Sequence, residues 1–218
     1  MRHRGDKCRG NTGIKLMVDH NLHLDQEADE ALIIKVALKN EFAFRALFNR
    51  YERKIFNLVY RYIGSYHEAE ELTQDVFLKI YKAARTFKGK AKFSTWLYRI
   101  AVNVCKKYKR KKRLILKSLD EDATLASTKI AREFCAPEST MPDKILKQKQ
   151  KMAIIQNAVD TLPPNQKIAF ILSKYEGYSY VEIAGIMSTS ISAVESLLVR
   201  AKRNLKKKLM PFKERGEI

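Results

Sequence analysis

Apolar residues along this chain recur every three or four positions, and they almost never alternate singly with polar residues. This spacing gathers apolar side chains on one face of an α-helix, whereas a half-buried strand requires alternation. The stripe formed by Leu47, Tyr51 and Ile55 predicts one such helix across 41–63, which Gly64 would end. We therefore predict an all-α fold, in which strands are not expected.

The same periodicity divides the chain into two small helical domains. Two further helices share a core with the first, and their stripes are Leu72, Val76, Ile80 and Leu97, Ala101, Val104. Between about 114 and 146 periodicity fades and acidic residues mix with Ser, Thr and Pro, as is typical of a linker. The predicted organisation is an N-terminal arm expected to be disordered (1–24), a first domain (25–113), a flexible linker (114–146), a second domain (147–210) and a tail (211–218). Met17 is an alternative start, since the residues before it carry no periodic pattern.

Lys and Arg outnumber Asp and Glu by 43 to 24, which gives a formal net charge of +19. A surplus of this size indicates a polyanionic partner, and nucleic acid is favoured over an anionic membrane surface. No apolar stretch has the length of a signal peptide or a membrane span, which predicts a cytoplasmic protein without membrane insertion.

Cysteine and histidine patterns argue against metal chemistry. The three cysteines are widely spaced and the four histidines do not cluster, so neither a disulfide framework nor a metal site is predicted. The motifs that cradle phosphates or bind catalytic zinc are also missing from the sequence. We predict no cofactor, no catalytic residue and no enzymatic activity.

Helix-capping and turn signals in the second domain predict a helix-turn-helix. Ser179 and Glu182 have the spacing of a capping box, which opens a short helix. Residues 188–191 form the predicted turn, and Ser192 with Glu195 would be a second capping box that opens a long helix. A short helix, a tight polar turn and a longer helix are the arrangement that places the second helix in the major groove of DNA.

Exposed positions near the start of that long helix are the candidates for DNA contact. The candidates for base edges are Ser190, Ser192, Glu195, Ser196 and Val199. The candidates for phosphates, further along the helix, are Arg200, Lys202 and Arg203. The alternative is an ordinary helical hairpin with a solvated basic face. For Glu195, a capping role and a base contact carry equal weight.

The stretch between Asp75 and Asp120 contains fifteen Lys and Arg residues and no acid. Aromatic residues are interleaved with them, and a cationic groove with aromatic faces suits single-stranded DNA. The alternative for Phe93 and Trp96 is a place in the core at helical spacing, and we favour it for Trp96.

Just before this stretch the charge changes sign, with four acids within eight residues: Glu68, Glu70, Glu71 and Asp75. Acids would repel DNA, so this face is interpreted as a dock for a basic protein partner. The alternative is that acids near a helix start are favoured by the helix dipole.

Three segments together resemble the bacterial extracytoplasmic-function (ECF) sigma factors. They are EELTQDVFLKIYKAARTF (70–87), FSTWLYRIAVNVCKKYKRKKR (93–113) and the segment from LPPNQ to the end of the second domain (162–209). Their order and spacing are also those of the family, and the resemblance covers both domains, nearly all of 25–210.

The resemblance implies a role for each domain. The first is similar to a sigma-2 domain, which docks on the clamp helices of the largest RNA polymerase subunit and opens the minus-ten promoter element, receiving a flipped base at a cost of a few kcal/mol. The second is similar to a sigma-4 domain, which recognises the minus-thirty-five element as duplex. The implied polymerase-binding residues are Glu71, Gln74, Asp75 and Phe77. The implied minus-ten residues are Lys88, Lys90, Lys92, Phe93, Arg99, Asn103, Lys106 and Lys107.

Some positions depart from the family pattern. Glu195 stands where many members carry Lys, and Leu197 stands where they carry Arg, so their usual contacts are not transferred. The loop 88–92 is also more basic than the common version.

The leading hypothesis is a promoter-specificity subunit of RNA polymerase without catalytic activity of its own. Its implied partners are core RNA polymerase and promoter DNA, both duplex and melted non-template strand, with an anti-sigma factor left open. One alternative is a stand-alone helix-turn-helix regulator that binds duplex DNA without polymerase. A recombinase-like nuclease is disfavoured, because the basic region carries no acids to hold a metal ion.

Overall fold

The computed structural model describes residues 27–120 and 143–217, and these form eight α-helices and no strand. The helices are α1 Asp29–Ala37, α2 Glu41–Ile63, α3 Tyr66–Ala83, α4 Phe93–Asp120, α5 Asp143–Asp160, α6 Pro164–Lys174, α7 Tyr180–Met187 and α8 Ile191–Glu214. A 3₁₀ turn, Ala84–Thr86, follows α3. The all-α prediction is confirmed, while the predicted arm and the middle of the predicted linker lie outside the described residues.

Helices α1 to α4 pack around one apolar core. Its centre contains Ile55 and Val59 of α2, Val76 of α3 and Leu97 of α4, all fully buried. Between α2 and α3 the chain turns at Gly64, whose φ of 99° is a left-handed conformation that glycine adopts without a Cβ clash. The predicted bounds of α2 are therefore confirmed.

Helix α1 belongs to this core but was not predicted as a helix. Leu32, Ile33 and Val36 are buried, and a helix this short offers only that one stripe. The Asp29 carboxylate anchors it to α2 by accepting hydrogen bonds from Arg50 at 2.6 Å and from the Tyr51 hydroxyl.

The second half, α5 to α8, has a small apolar cluster of its own, which includes Val159, Leu162 and Leu205. The larger apolar faces of α6 and α7 pack against the first half. Ile171 of α6 and Ile183 of α7 lie in the same buried cluster as the core of α1 to α4. Helix α6 contacts α2 and helix α7 contacts α4, so the two predicted domains are packed against each other.

The helices also extend further than predicted. Helix α4 continues to Asp120 and α5 begins at Asp143, because neither 114–120 nor 143–160 contains the Gly or Pro that would end a helix. Helix α8 also runs past the predicted end of the domain to Glu214, although Pro211 lies inside it. Among the described helices none alone is long and apolar enough to cross a membrane, although α7 and α8, bent at 102°, pass that test as a pair on length and composition.

Candidate nucleic-acid and protein interfaces

Helices α7 and α8 form the predicted helix-turn-helix. The Ser179 hydroxyl accepts from the Glu182 N–H at 3.3 Å, and the Glu182 carboxylate accepts from the Ser179 N–H at 3.0 Å, which confirms the first capping box. These bonds from Ser179, with Lys92 nearby, hold the pKa of Glu182 below its usual range. The start of the short helix is therefore fixed by its own sequence.

The second predicted capping box is wrong. Ser188 takes a left-handed conformation with φ of 53°, which closes the turn early, and α8 begins at Ile191. Its N-cap is Ser190, whose hydroxyl accepts from the Ala193 N–H at 3.2 Å. Glu195 is therefore not a capping partner of Ser192, and of its two interpretations only the base contact stays a prediction.

All the predicted duplex contacts lie on the exposed side of α8. The opposite side is buried through Val194, Leu198 and Ala201, which hold α8 on its neighbours. The exposed positions are Ser190, Ser192, Glu195, Ser196, Val199, Arg200, Lys202 and Arg203. An open, largely polar and cationic helix face of this kind can enter a DNA groove.

The loop between the 3₁₀ turn and α4 presents two of its lysines to solvent, Lys88 and Lys90. Lys92 is also exposed, with its ammonium 3.5 Å from the carboxylate of Glu182 on α7. Gly89 has a φ of 67°, so the loop turns sharply there.

Phe93 does not belong to that exposed set. Its ring is 1% exposed and packs edge-on against Tyr51 with the ring centroids 5.6 Å apart, while its N–H donates to Glu30 at 2.9 Å. The ring closes the core where α4 begins, which disfavours the implied DNA contact by the Phe93 ring; that contact stays a prediction. Trp96 is half-buried against Phe87 and Phe93, which confirms its favoured interpretation as a core residue.

The remaining minus-ten candidates form one stripe along α4. Asn103 and Lys107 are exposed, and Lys106 is partly exposed, with burial lowering the pKa of its ammonium. Arg99, one turn before Asn103, is engaged elsewhere. Its Nε and Nη2 donate to the carbonyl oxygen of Gly185 on α7 at 3.0 Å and 2.6 Å.

A polar seam lies between the two halves, and sequence reasoning did not find it. Burial raises the pKa of the Tyr98 hydroxyl, which stays protonated and donates to Glu176 at 2.8 Å. The Glu176 carboxylate also lies 4.0 Å from the Arg61 guanidinium. The seam borders a cavity of about 460 Å³ that Tyr51 and Tyr178 also line. Contacts between residues as far apart in sequence as Tyr98 and Glu176 leave no periodic pattern in the sequence.

Helix α3 presents an acidic face to solvent. Glu70, Glu71, Gln74 and Asp75 are all exposed, and the His67 ring lies 3.4 Å from Glu71. The fourth acid of the predicted set is not part of this face. Glu68 is half-buried and forms an ion pair with Lys112 of α4.

Phe77 supports this face from beneath. Its ring is 4% exposed and packs against Phe48 with centroids 4.7 Å apart and against Phe44 at 6.4 Å. This burial disfavours the implied polymerase contact by the Phe77 ring, which stays a prediction. A groove of about 380 Å³ beside the face is lined by Phe48, Phe56, Tyr66, Glu70 and Gln74. The spacing of Phe48 and Phe56, two turns of one helix, was the signal that could have found it.

Two family models match the chain. Residues 47–115 match Sigma-70 region 2, and residues 152–205 match Sigma-70, region 4. The chain is 34% identical over 192 residues to the ECF RNA polymerase sigma-E factor of Escherichia coli strain K12, covering 86% of this chain and 97% of that protein. It is 30% identical over 193 residues to the RNA polymerase sigma-H factor of Pseudomonas aeruginosa, covering 87% and 97%.

Two solved structures share the fold. CnrH in complex with the cytosolic domain of CnrY has a TM-score of 0.61 at 20% identity, covering 85% of this chain and 99% of that chain. The sigma factor RpoE of Bartonella quintana, solved in complex with the anti-sigma factor NepR, has a TM-score of 0.57 at 20% identity, covering 77% and 96%.

Proposed function

This chain belongs to the extracytoplasmic-function (ECF) family of RNA polymerase sigma factors and is a promoter-specificity subunit that binds core polymerase and directs transcription initiation, and we propose that three surfaces divide this work. The observation that carries the proposal is the order of charge along the helices. An exposed acidic face on α3 is followed by the stretch 76–119, which carries fifteen Lys and Arg residues and no acid, and α8 adds a second cationic face.

The acidic face of α3 is the surface proposed to bind core polymerase. Glu71, Gln74 and Asp75 project into solvent without a cationic neighbour from another helix among the ion pairs of the described residues. Acids left open in this way attract a basic partner and set its orientation. The aromatic groove beside them adds apolar area for a partner helix, since interface energy concentrates in buried aromatic contacts.

The loop 88–92 and the stripe on α4 are proposed to bind the opened minus-ten strand. Lys88 and Lys90 supply cations at the loop, while Asn103 and Lys107 continue the same surface along the helix. Cations follow the phosphates of a single strand, and an amide side chain can pair with an exposed base edge. The half-buried Trp96 stays beneath this surface as a support.

The exposed side of α8 is proposed to read duplex DNA at the minus-thirty-five element. Ser190, Ser192 and Ser196 offer hydroxyls near the start of the helix, and Arg200 and Arg203 lie further along, where phosphates would pass. Glu195 suits a cytosine amino group, because a carboxylate accepts hydrogen bonds and does not donate them when ionised. This assignment differs from the lysine usual in the family and predicts a distinct duplex preference.

This role needs no catalytic group of its own, and a cytoplasmic location follows from partnership with core polymerase. An anti-sigma factor is proposed as a further partner, on the precedent of the Bartonella quintana sigma factor solved with one.

Direct binding tests the proposal. The purified chain is mixed with core polymerase and analysed by gel filtration, then the complex is footprinted on promoter DNA. We expect co-elution with core and protection of both promoter elements by the complex. Failure to co-elute, or equal protection by the chain without core, would favour the stand-alone regulator instead.

A further inference from the structure

A polar cavity of about 460 Å³ lies where α2, α4 and the connection between α6 and α7 meet. One wall of the cavity is a single stripe of α2, formed by Tyr51, Lys54, Asn57 and Arg61, whose spacing of three or four positions puts them on one face of the helix. Pockets that enclose small organic ligands measure about 300–1,000 Å³. None of the residues that line this cavity belongs to the surfaces proposed for polymerase and DNA.

The wall on α2 presents hydrogen-bond donors to the cavity. Within the described residues, the side chains of Lys54, Asn57 and Arg61 have no hydrogen-bond acceptor. The Arg61 guanidinium lies 4.5 Å over the ring of Tyr175, and its Nη1 is 4.0 Å from the Glu176 carboxylate, which is too far for a hydrogen bond. A guanidinium stacked in this way keeps its planar set of N–H groups available for a phosphate or carboxylate.

The opposite wall offers an acceptor and aromatic rings. The Glu176 side chain is 9% exposed, and its Oε2 accepts from the Tyr98 hydroxyl at 2.8 Å, while Oε1 faces the guanidinium of Arg61. The Tyr178 ring packs edge-on against Tyr98 with the centroids 4.9 Å apart. Burial raises the pKa of the Tyr178 hydroxyl to about 12, so this group stays protonated at neutral pH. A flat ligand ring bound here would meet tyrosine rings and, at its edge, a carboxylate.

The charges and dimensions of the cavity narrow the class of ligand. Two cations, Lys54 and Arg61, outweigh one acid, Glu176, among the lining residues, so the cavity favours an anion. The two cations lie two turns apart on α2, which corresponds to about 10 Å of helix rise. A nucleoside monophosphate is anionic at one end and carries a flat base with a polar edge at the other. Guanine presents a ring N–H and an amino group side by side, which suits a carboxylate acceptor.

We propose that this cavity is a binding site for a nucleoside monophosphate, with the phosphate on the donors of α2 and the base against the tyrosines. Lys54 and Arg61 bind the phosphate oxygens, and the Asn57 amide lies between these two cations on the same stripe. Glu176 accepts hydrogen bonds from the edge of the base, so guanine is the preferred base. The site adds a small-molecule ligand to a chain whose other proposed partners are macromolecules.

Calorimetric titration of the full chain with guanosine monophosphate tests the site. We expect saturable binding with a dissociation constant below about 1 mM. Guanosine and inorganic phosphate, titrated separately, should each bind at least about tenfold more weakly, because each makes only part of the contacts. Absence of binding by guanosine monophosphate, or equal binding by inorganic phosphate, would overturn the assignment of a nucleotide.

Two substitutions test the wall on α2. Asn57→Asp keeps the side-chain shape and places a negative charge beside the phosphate, and Lys54→Gln removes an exposed cation. Each should weaken binding of guanosine monophosphate by about tenfold or more, since the contacts involved are to charged groups. The matched controls Asn49→Asp and Arg45→Gln make the same charge changes at exposed positions of α2 outside the cavity. Losses of equal size in the controls would overturn the placement of the phosphate on this wall.

The role of Glu176 is tested through the choice of base. The unmodified chain should prefer guanosine monophosphate over adenosine monophosphate by at least about tenfold, because adenine lacks the ring N–H. Glu176→Gln keeps an oxygen acceptor for the Tyr98 hydroxyl and should abolish this preference while helix content, measured by circular dichroism, stays unchanged. Equal affinity of the unmodified chain for the two nucleotides would overturn the base contact. Co-elution of every variant with core polymerase is scored separately, so failure of this site and failure of the sigma role give different results.

Discussion

Asp75 carries, in a single side chain, the charge that the proposed polymerase contact requires. It is exposed on α3 and contributes nothing to the core, so its replacement leaves packing intact. Asp75→Arg should weaken binding to core polymerase by roughly tenfold or more, because a like charge facing a basic partner costs several kcal/mol. Titration of labelled core polymerase measures the affinity. Glu214→Arg, the same charge reversal at the end of α8, is the control, and an equal loss there would contradict a specific dock.

Phe77, two residues further along the same helix, should contribute to stability, whereas Asp75 contributes to binding. Because its ring is buried against Phe48 and Phe44, Phe77→Ala should lower the free energy of unfolding by about 3–5 kcal/mol. Urea unfolding followed by circular dichroism measures this loss. If Phe77→Ala kept full stability and lost only polymerase binding, the ring would be an interface residue after all.

Helix α8 depends on its cap at the scale of the element. Ser190→Ala should destabilise the protein by about 1 kcal/mol, since it removes the acceptor for the Ala193 N–H. Ser192→Ala should cost less, because Ser192 lies inside the helix. Thermal unfolding of the two variants side by side decides the matter, and a larger loss for Ser192→Ala would restore the capping box that the sequence suggested.

The α4 stripe has an electrostatic signature. Lys107→Gln should weaken binding of an opened non-template strand by the complex with core polymerase, and it should reduce the slope of log affinity against log salt by about 0.7 if one phosphate contact is lost. Affinity is measured at several salt concentrations. Lys151→Gln on α5, also exposed, is the matched control. An unchanged slope for Lys107→Gln would remove that lysine from the strand-binding surface.

Sequence periodicity predicted some elements well because their signals are local. The bounds of α2 follow from one apolar stripe and from Gly64, and the start of α7 follows from Ser179 and Glu182. The start of α8 was missed because two serines compete as cap, and the left-handed conformation of Ser188 decides between them. Short α1 was missed because its single stripe is too brief for periodicity to detect.

At the scale of the whole molecule, the packing of the two halves was not predictable from patterns. Ile171 and Ile183 each lie on the apolar stripe of their own helix, but a stripe does not show which core it joins. The ion pairs and caps across the interface link residues as far apart in sequence as Lys167 and Tyr62. The same packing explains why Arg99, a predicted DNA contact, is engaged with α7 in the free chain.

The central claim is that the chain selects promoters as part of RNA polymerase. The most direct test is transcription of genomic DNA by core polymerase with and without this protein, followed by sequencing of transcript starts. We predict a defined set of starts that appears only when both are present and shares two spaced elements upstream. An unchanged pattern of starts upon addition of the protein would contradict the account.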